Sequence, residues 1–435
     1  MFMKNKINFS GKLLIAAAFL SLVGCTRDID TEVLATYPDI SEVFMDDFTS
    51  DLQFQAWGKV TNFSISTETK YEGTSSMQIE IPKPSDPMGS WAGGTFYSLM
   101  GRNLSNYDAL TFYAKSSIPT TIEVGLGNYE DAQYLVTVKN IEVNTNWSKV
   151  IIPIPNAAKL LSEQGLFYYS AGAVNGEGYT LWFDNVQFEK LGTLAHARIE
   201  EQIVPGFPGE LQLGTLTEYI NLPNGVDCKM EVSSNYFTFE SSDSNIASVE
   251  DGKIIIKKSG KATIAPKEAQ GTIRINSFDL APAPQISKEN VISLFSDAYT
   301  NEITANWNPR WQWSTAEFEE INAGGQHVAQ YSGLNFVGIV FDETADCSEM
   351  THMHLDLFCL DKVDDATAIS ISIYYGTDEV KTVVSKANFA EFESEKWLSI
   401  DIPLILPNKQ ISQLALACDN NTRNVLLDNM YFYKK

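Results

Sequence analysis

After its first 25 residues the chain has no long apolar run, no amphipathic helical pattern of useful length, few cysteines and few basic residues for its size. Each shortage excludes something. Lys and Arg number 31 against 55 Asp and Glu, a formal net charge of −24, so nucleic acid and anionic lipid surfaces are poor partners. A polyanionic ligand would need a bridging cation, and a neutral polymer is the simpler fit. Cys25, Cys228, Cys347, Cys359 and Cys418 are too few and too scattered for a disulfide framework. Cys359 and Cys418 lie in apolar runs and read as buried thiols. No G-x-S-x-G or H-E-x-x-H occurs.

What is there is mostly strand. Short alternating segments separated by Gly, Asn, Asp and Ser turns predict an all-β protein. The best helical candidate, NAAKLLSEQG at 156–165, is a turn or two long. A weak internal repeat divides the rest. NWSKVIIPIP and KWLSIDIPLI each place a Trp six residues before a Pro with alternating apolar residues between. Each is followed by a final strand, YTLWFDNVQFEK and NVLLDNMYFYKK, with an Asp-Asn pair inside it. Two copies of one sandwich are therefore expected, at 41–191 and 284–435, around a segment of different texture at 192–283. Pro205, Pro208, Pro282 and Pro284 flank that segment and suggest stiff connections.

The N-terminus carries Lys4, Lys6 and Lys12 ahead of an apolar run too short to span a bilayer as a stable helix, which reads as a secretory signal over 1–24. Leu22 to Cys25 resemble the lipobox of bacterial lipoproteins, which implies lipid attachment at Cys25 and an acidic tether over 25–40. The segment TRDIDTE resembles the export tag of surface lipoproteins from polysaccharide utilisation loci. Setting aside the three signal lysines leaves a mature charge of about −27.

The most unusual stretch is ANWNPRWQWST at 305–315. A sugar ring has C–H groups on its face and hydroxyls at its rim, so a binding site needs flat aromatics beside amides and carboxylates. Trp307, Trp311 and Trp313, with Asn308 and Gln312, supply that set. The competing assignment is that one or two of the indoles plug the end of a sandwich. In the first copy the candidates are Trp57, Trp91, Tyr129 and Tyr134. Trp147, Trp182 and Trp397 sit at alternating strand positions and are expected in the core. His352 and His354 are spaced for one face of a strand, as zinc sites use, but no third ligand is near and hydrogen-bonded histidines are the expectation.

Three resemblances extend this reading. SWAGGTFYS, YDALTFYAKSS and YTLWFDNVQFEK resemble jelly-roll carbohydrate-binding modules of galactose-binding-like fold, and the region from Asn290 to Thr315 resembles a C-terminal module of secreted β-glucanases and glycan-binding lipoproteins. Phe237 to Pro266 resemble the bacterial immunoglobulin-like repeat, which implies a spacer. Together they imply a surface glycan-binding protein beside a TonB-dependent transporter and surface glycanases, with a β-1,3- or mixed-linkage β-glucan as ligand. The jelly-roll resemblance also implies structural calcium, held by Asp46 or Asp47 with Asp184, drawing carbonyls from KYEGTSS, and by Asp297 with Asp428. Alternatively these carboxylates cap turns or accept backbone amides. The E-x-D-x-x-E strand of β-glucanase jelly rolls is absent, so binding without catalysis is expected; glycoside cleavage would need two carboxylates at a fixed separation. The rivals are an adhesive or structural surface lipoprotein and a divergent polysaccharide-degrading enzyme.

Overall fold

A computed structural model describes residues 36–57, 63–87, 89–405, 409–418, 421 and 423–435. The signal segment, Cys25 and the tether up to residue 35 lie outside the described residues.

The protein is built from strands packed as sandwiches. In the first sandwich one sheet runs Phe63–Ser66, Ser76–Ile81, Tyr179–Glu189, Ala109–Ser116, Ser148–Pro153, with Glu42–Phe44 also paired to Tyr179–Glu189. The opposing sheet runs Leu52–Ala56, Trp91–Arg102, Glu163–Gly172, Thr120–Leu126, Val136–Val143. Alternation sends Phe96, Phe167, Val124 and Val138 into the gap between the sheets, where they are buried. The second sandwich repeats this order strand for strand. Glu317–Ala323, Gln326–Leu334, Arg423–Tyr433, His352–Cys359 and Trp397–Pro403 form one sheet, with Val291–Phe295 again paired to the last strand of the chain. Ala305–Asn306, Phe336–Asp346, Gln410–Cys418, Ile369–Tyr375 and Asp378–Val384 form the other.

The Asp-Asn pairs turn out to be β-bulges. Asn185 and Asn429 have φ of 46° and 50°, a left-handed conformation that Asn tolerates, and the strand registers shift there. The preceding carboxylate accepts the Asn amide: Asn185 N–H donates to Asp184 at 2.8 Å and Asn429 N–H to Asp428 at 2.6 Å.

The central region departs from the expected spacer. Its strands Asp227–Ser233, Thr215–Asn221 and Ala195–Ile199 continue the first sandwich's sheet beyond Val136–Val143, giving eight strands in one sheet. Leu216, Met230 and Val232 belong to the same hydrophobic core as the first sandwich. The prolines meant to mark stiff linkers are built into contacts. Pro205 lies in Gln202–Gly206, paired parallel to Ile273–Ser277. The Pro208 carbonyl presses on Gly324, where a Cβ would come within 2.5 Å of it, and the Pro282 carbonyl accepts a hydrogen bond from Asn429 Nδ2.

Three tryptophans expected in the core stand elsewhere. Trp182 is half-buried, its indole N–H donating to Gln78 Oε1, and Trp147 meets Tyr71 edge-on. Trp397 docks the second sandwich onto the central region, packing near Phe207 and donating to the Asp279 carbonyl at 2.8 Å. The helical candidate is only a 3-10 turn, Ala157–Lys159. Cys359 is buried and Cys418 half-buried.

Candidate functional site

The outer face of the eight-stranded sheet is where aromatic and polar side chains collect. Along Trp91–Arg102, Ala92 and Phe96 point inward, which turns Trp91, Gly93, Thr95 and Tyr97 outward. Trp91 is 39% exposed and folds back over Gly93, where a Cβ would lie 2.6 Å from its Cζ3. Glycine at 93 is what lets the indole lie down on the sheet. Trp57 is fixed by its backbone, whose N–H donates to the Gly93 carbonyl at 2.9 Å. Its ring stands 5.4 Å from that of Tyr168, which in turn occupies the space above Gly125 and donates to Thr137 Oγ1 at 2.6 Å. Tyr168 is itself buried and so acts as a pedestal under Trp57.

Around these indoles lie polar groups of the right kind for hydroxyls. Gln53 and Gln55 are exposed on the edge strand, opposite Tyr97 and Thr95. Tyr97 donates to Gln53 Oε1 at 3.0 Å and stacks on Tyr129, with ring centroids 3.9 Å apart. Lys139 pairs with Glu231 at 2.7 Å, and this partner holds the lysine pKa above its ordinary value.

The face thus gathers Trp57, Trp91 and Tyr129 from the sequence candidates. Tyr134 lines a cleft with Tyr129 at the central junction, its ring 5.3 Å from Tyr236 and its carbonyl accepting the Tyr236 hydroxyl. Sequence reasoning missed Tyr168, Tyr97, Gln53 and Gln55. The alternation in LQFQA marks the two glutamines as outward, but only strand pairing shows that they stand opposite Tyr97 and Thr95 on the face that carries Trp91.

The second sandwich separates its three indoles. Trp311 lies over Gly338, on the outward side of a strand equivalent to Trp91–Arg102, leaving no room there for a Cβ. Trp313 is 79% exposed at φ 73°, a conformation costly for a bulky side chain, and Asn335 Nδ2 holds its carbonyl at 2.8 Å. Trp307 is a plug: it stacks on Phe318, meets Phe295 edge-on, and gives its carbonyl to the Tyr331 hydroxyl. Asn308 braces the loop, donating to the Ala316 carbonyl and accepting from Arg310 N–H, while Gln312 is exposed.

The carboxylates expected to hold calcium are satisfied differently. Asp184 is fully buried and accepts N–H groups from Tyr71 and Asn185, with a longer contact from Glu72. Burial pushes its pKa up against those donors. Asp46 accepts the amides of Thr74 and Ser75, which hold its carboxyl below the usual range, and Asp47 caps Phe48 N–H. The 71–75 loop therefore aims N–H groups, not carbonyls, at these oxygens. In the second copy Asp297 accepts the His327 backbone N–H and contacts its Nδ1, while burial, with Asp356 and Asp297 nearby, raises Asp428 to about 7. These arrangements fit amide-clamped carboxylates better than an oxygen cage for calcium, and among the described residues no group of three or more His, Cys, Asp or Glu is placed to hold a metal. His354 contacts Asp401 through Nδ1 at 2.8 Å and stacks on Tyr431, and His352 stacks on Tyr433, so neither reads as a zinc ligand.

The first sandwich is thus an all-β domain with aromatic side chains on an open sheet face. The family model for carbohydrate binding domain 30 matches residues 42–190, about a third of the chain and the extent of the first sandwich. That domain is of a non-catalytic kind. Among solved structures, a family 30 carbohydrate-binding module is 15% identical, covers 36% of this chain and 86% of its own, and superposes with a TM-score of 0.24. A family 11 module from Clostridium thermocellum, in complex with a β-1,3-1,4-mixed-linked tetrasaccharide, is 14% identical over 35% of this chain and 96% of its own, TM-score 0.26. A family 29 module is 10% identical over 33% and 86%, TM-score 0.22. No curated protein matches the chain.

Proposed function

We propose that the protein is a non-catalytic, lipid-anchored surface protein that holds a polysaccharide on the open face of its first sandwich and assists its uptake. The observation that carries this is the pair Trp57 and Trp91, laid over Tyr168 and Gly93 within the matched residues, on the same sheet face as Gln53, Gln55 and Tyr97. The low basic content supports a neutral polymer, and the β-glucanase-like stretch of the second sandwich supports a β-glucan. The lipobox-like sequence at Cys25 supports attachment to the outer membrane, beside a TonB-dependent transporter and glycanases that would consume the captured chain. Absence of catalysis is supported by the non-catalytic kind of domain that matches the first sandwich.

Trp311 and Trp313 give the second sandwich its own weaker surface. Two surfaces on one chain raise avidity only for a polymer that spans both. The test is native affinity electrophoresis through laminarin, barley β-glucan, xylan, mannan and pectin. Retardation in a β-glucan gel that Trp57→Ala with Trp91→Ala removes is expected. Unchanged retardation of that variant would overturn the assignment of the first face.

A further inference from the structure

The matched module ends at residue 190, but its binding face does not end there. Strand Asp227–Ser233 pairs with Val136–Val143 through Glu231 opposite Thr137 and Val232 opposite Val136. Ser233 N–H donates to the Leu135 carbonyl, and its hydroxyl accepts from Leu135 N–H at 3.0 Å. On the inward side Val136 and Val232 are both fully buried in one core, so the seam is packed as a sheet interior. On the outward side Gln55, Thr95, Tyr168, Gly125, Thr137, Glu231 and Thr217 lie opposite one another in a single row from one domain into the next. At ~4.8 Å per strand, the module's own five strands give a face about 19 Å wide, and the eight-stranded sheet about 34 Å.

The added strands bring functional groups to that face. The Lys139 and Glu231 ion pair crosses the seam, with both side chains about half exposed. One strand further, Tyr219 stands opposite Lys229 on one side and Arg198 on the other. The Arg198 guanidinium lies 4.3 Å from the Tyr219 ring centroid and is held by Asp227 at 2.8 Å. Vicinal sugar hydroxyls accept from cationic N–H groups and donate to carboxylates, and this patch alternates the two.

We propose that the central domain is part of the saccharide site, with Glu231, Lys139, Tyr219 and Arg198 forming a subsite for sugar units of the chain that rests on Trp57 and Trp91. This rests on the functional reading above. It gives the central domain a binding role in place of spacing.

The experiment is calorimetric titration of the full protein with mixed-linkage β-glucan oligosaccharides of three to eight units. Tyr219→Ala and Glu231→Gln are expected to leave trisaccharide affinity unchanged and to weaken the longest oligomers by about three- to tenfold. Trp57→Ala is expected to weaken every length. Glu231→Gln is a half-exposed, near-isosteric change that keeps the inference testable if Tyr219→Ala disturbs folding. Both variants binding long oligomers as the wild type does, while Trp57→Ala fails, would overturn the subsite and leave the first face standing. Trp57→Ala binding as wild type, or a wild type that binds no oligomer, would overturn the functional reading and the subsite with it.

Discussion

The two sandwiches share one strand order but join the central region through different surfaces. The first joins edge to edge: its Val136–Val143 strand hydrogen-bonds to Asp227–Ser233, and the two regions share a core. The second joins face to strand ends, with Phe358 and Trp397 packed on Phe207 and Phe278 in a small separate cluster. An edge joint lengthens a sheet and its outer face; a face joint covers one sheet and leaves the other open. The open sheet of the second sandwich accordingly stops at Asp378–Val384, and beside Trp311 it offers small residues, Gly338, Ala415 and Ser372 in one row. Repetition of a fold therefore did not repeat the site.

The largest test of this difference is binding. Trp57→Ala with Trp91→Ala should weaken glucan affinity by about tenfold or more, since each aromatic contact contributes ~0.5 to 1.5 kcal/mol beyond area burial. Trp311→Ala with Trp313→Ala should reduce polymer retardation while leaving oligosaccharide titrations unchanged. Equal losses from the two pairs would erase the asymmetry.

Unfolding should show the joints directly. A core shared across the first junction predicts that the first sandwich and central region melt together, and the second sandwich in a separate transition, by calorimetry. Val232→Ala should lower the first transition by about 1 to 3 kcal/mol and leave the other in place. A three-step melt would show that the edge joint is weak.

The shared core also carries a pH signature. Both Glu218 oxygens are buried without a hydrogen-bond partner among the described residues, and burial lifts its pKa from 4.5 to about 8. The folded state therefore holds a proton that the unfolded state gives up. The stabilisation is complete below pH 4.5 and is lost as pH rises towards 8, a change of several kcal/mol. Glu218→Gln should flatten the first transition's midpoint between those limits. A wild-type midpoint constant over that window would show that the carboxyl finds a partner. The smallest effect is expected from calcium: millimolar calcium or a chelator should leave both midpoints unchanged, and stabilisation of one sandwich alone would mark a cation site in that copy.

The paired domains and the all-β architecture were legible because alternation has a fixed period and the repeat preserved it. Trp91 and Trp57 were legible as candidates by residue type, but their meeting at Gly93 was not. Trp307 was not separable from Trp311 and Trp313, because all three sit within seven residues and only the packing of Phe295 and Phe318 draws the first away. The Asp-Asn pairs were visible, but the letters alone left two roles open, since a carboxylate that stabilises a bulge and one that binds a cation read the same.

The sequence by itself determined the strands, their inward faces and the acidic charge, all of which follow from local periodicity and composition. The tertiary structure alone decided which edge strand paired with which, because hydrogen bonds between strands distant in the chain leave no local pattern. That pairing carried the central region onto the first sandwich's sheet and set Glu231 in line with Tyr168.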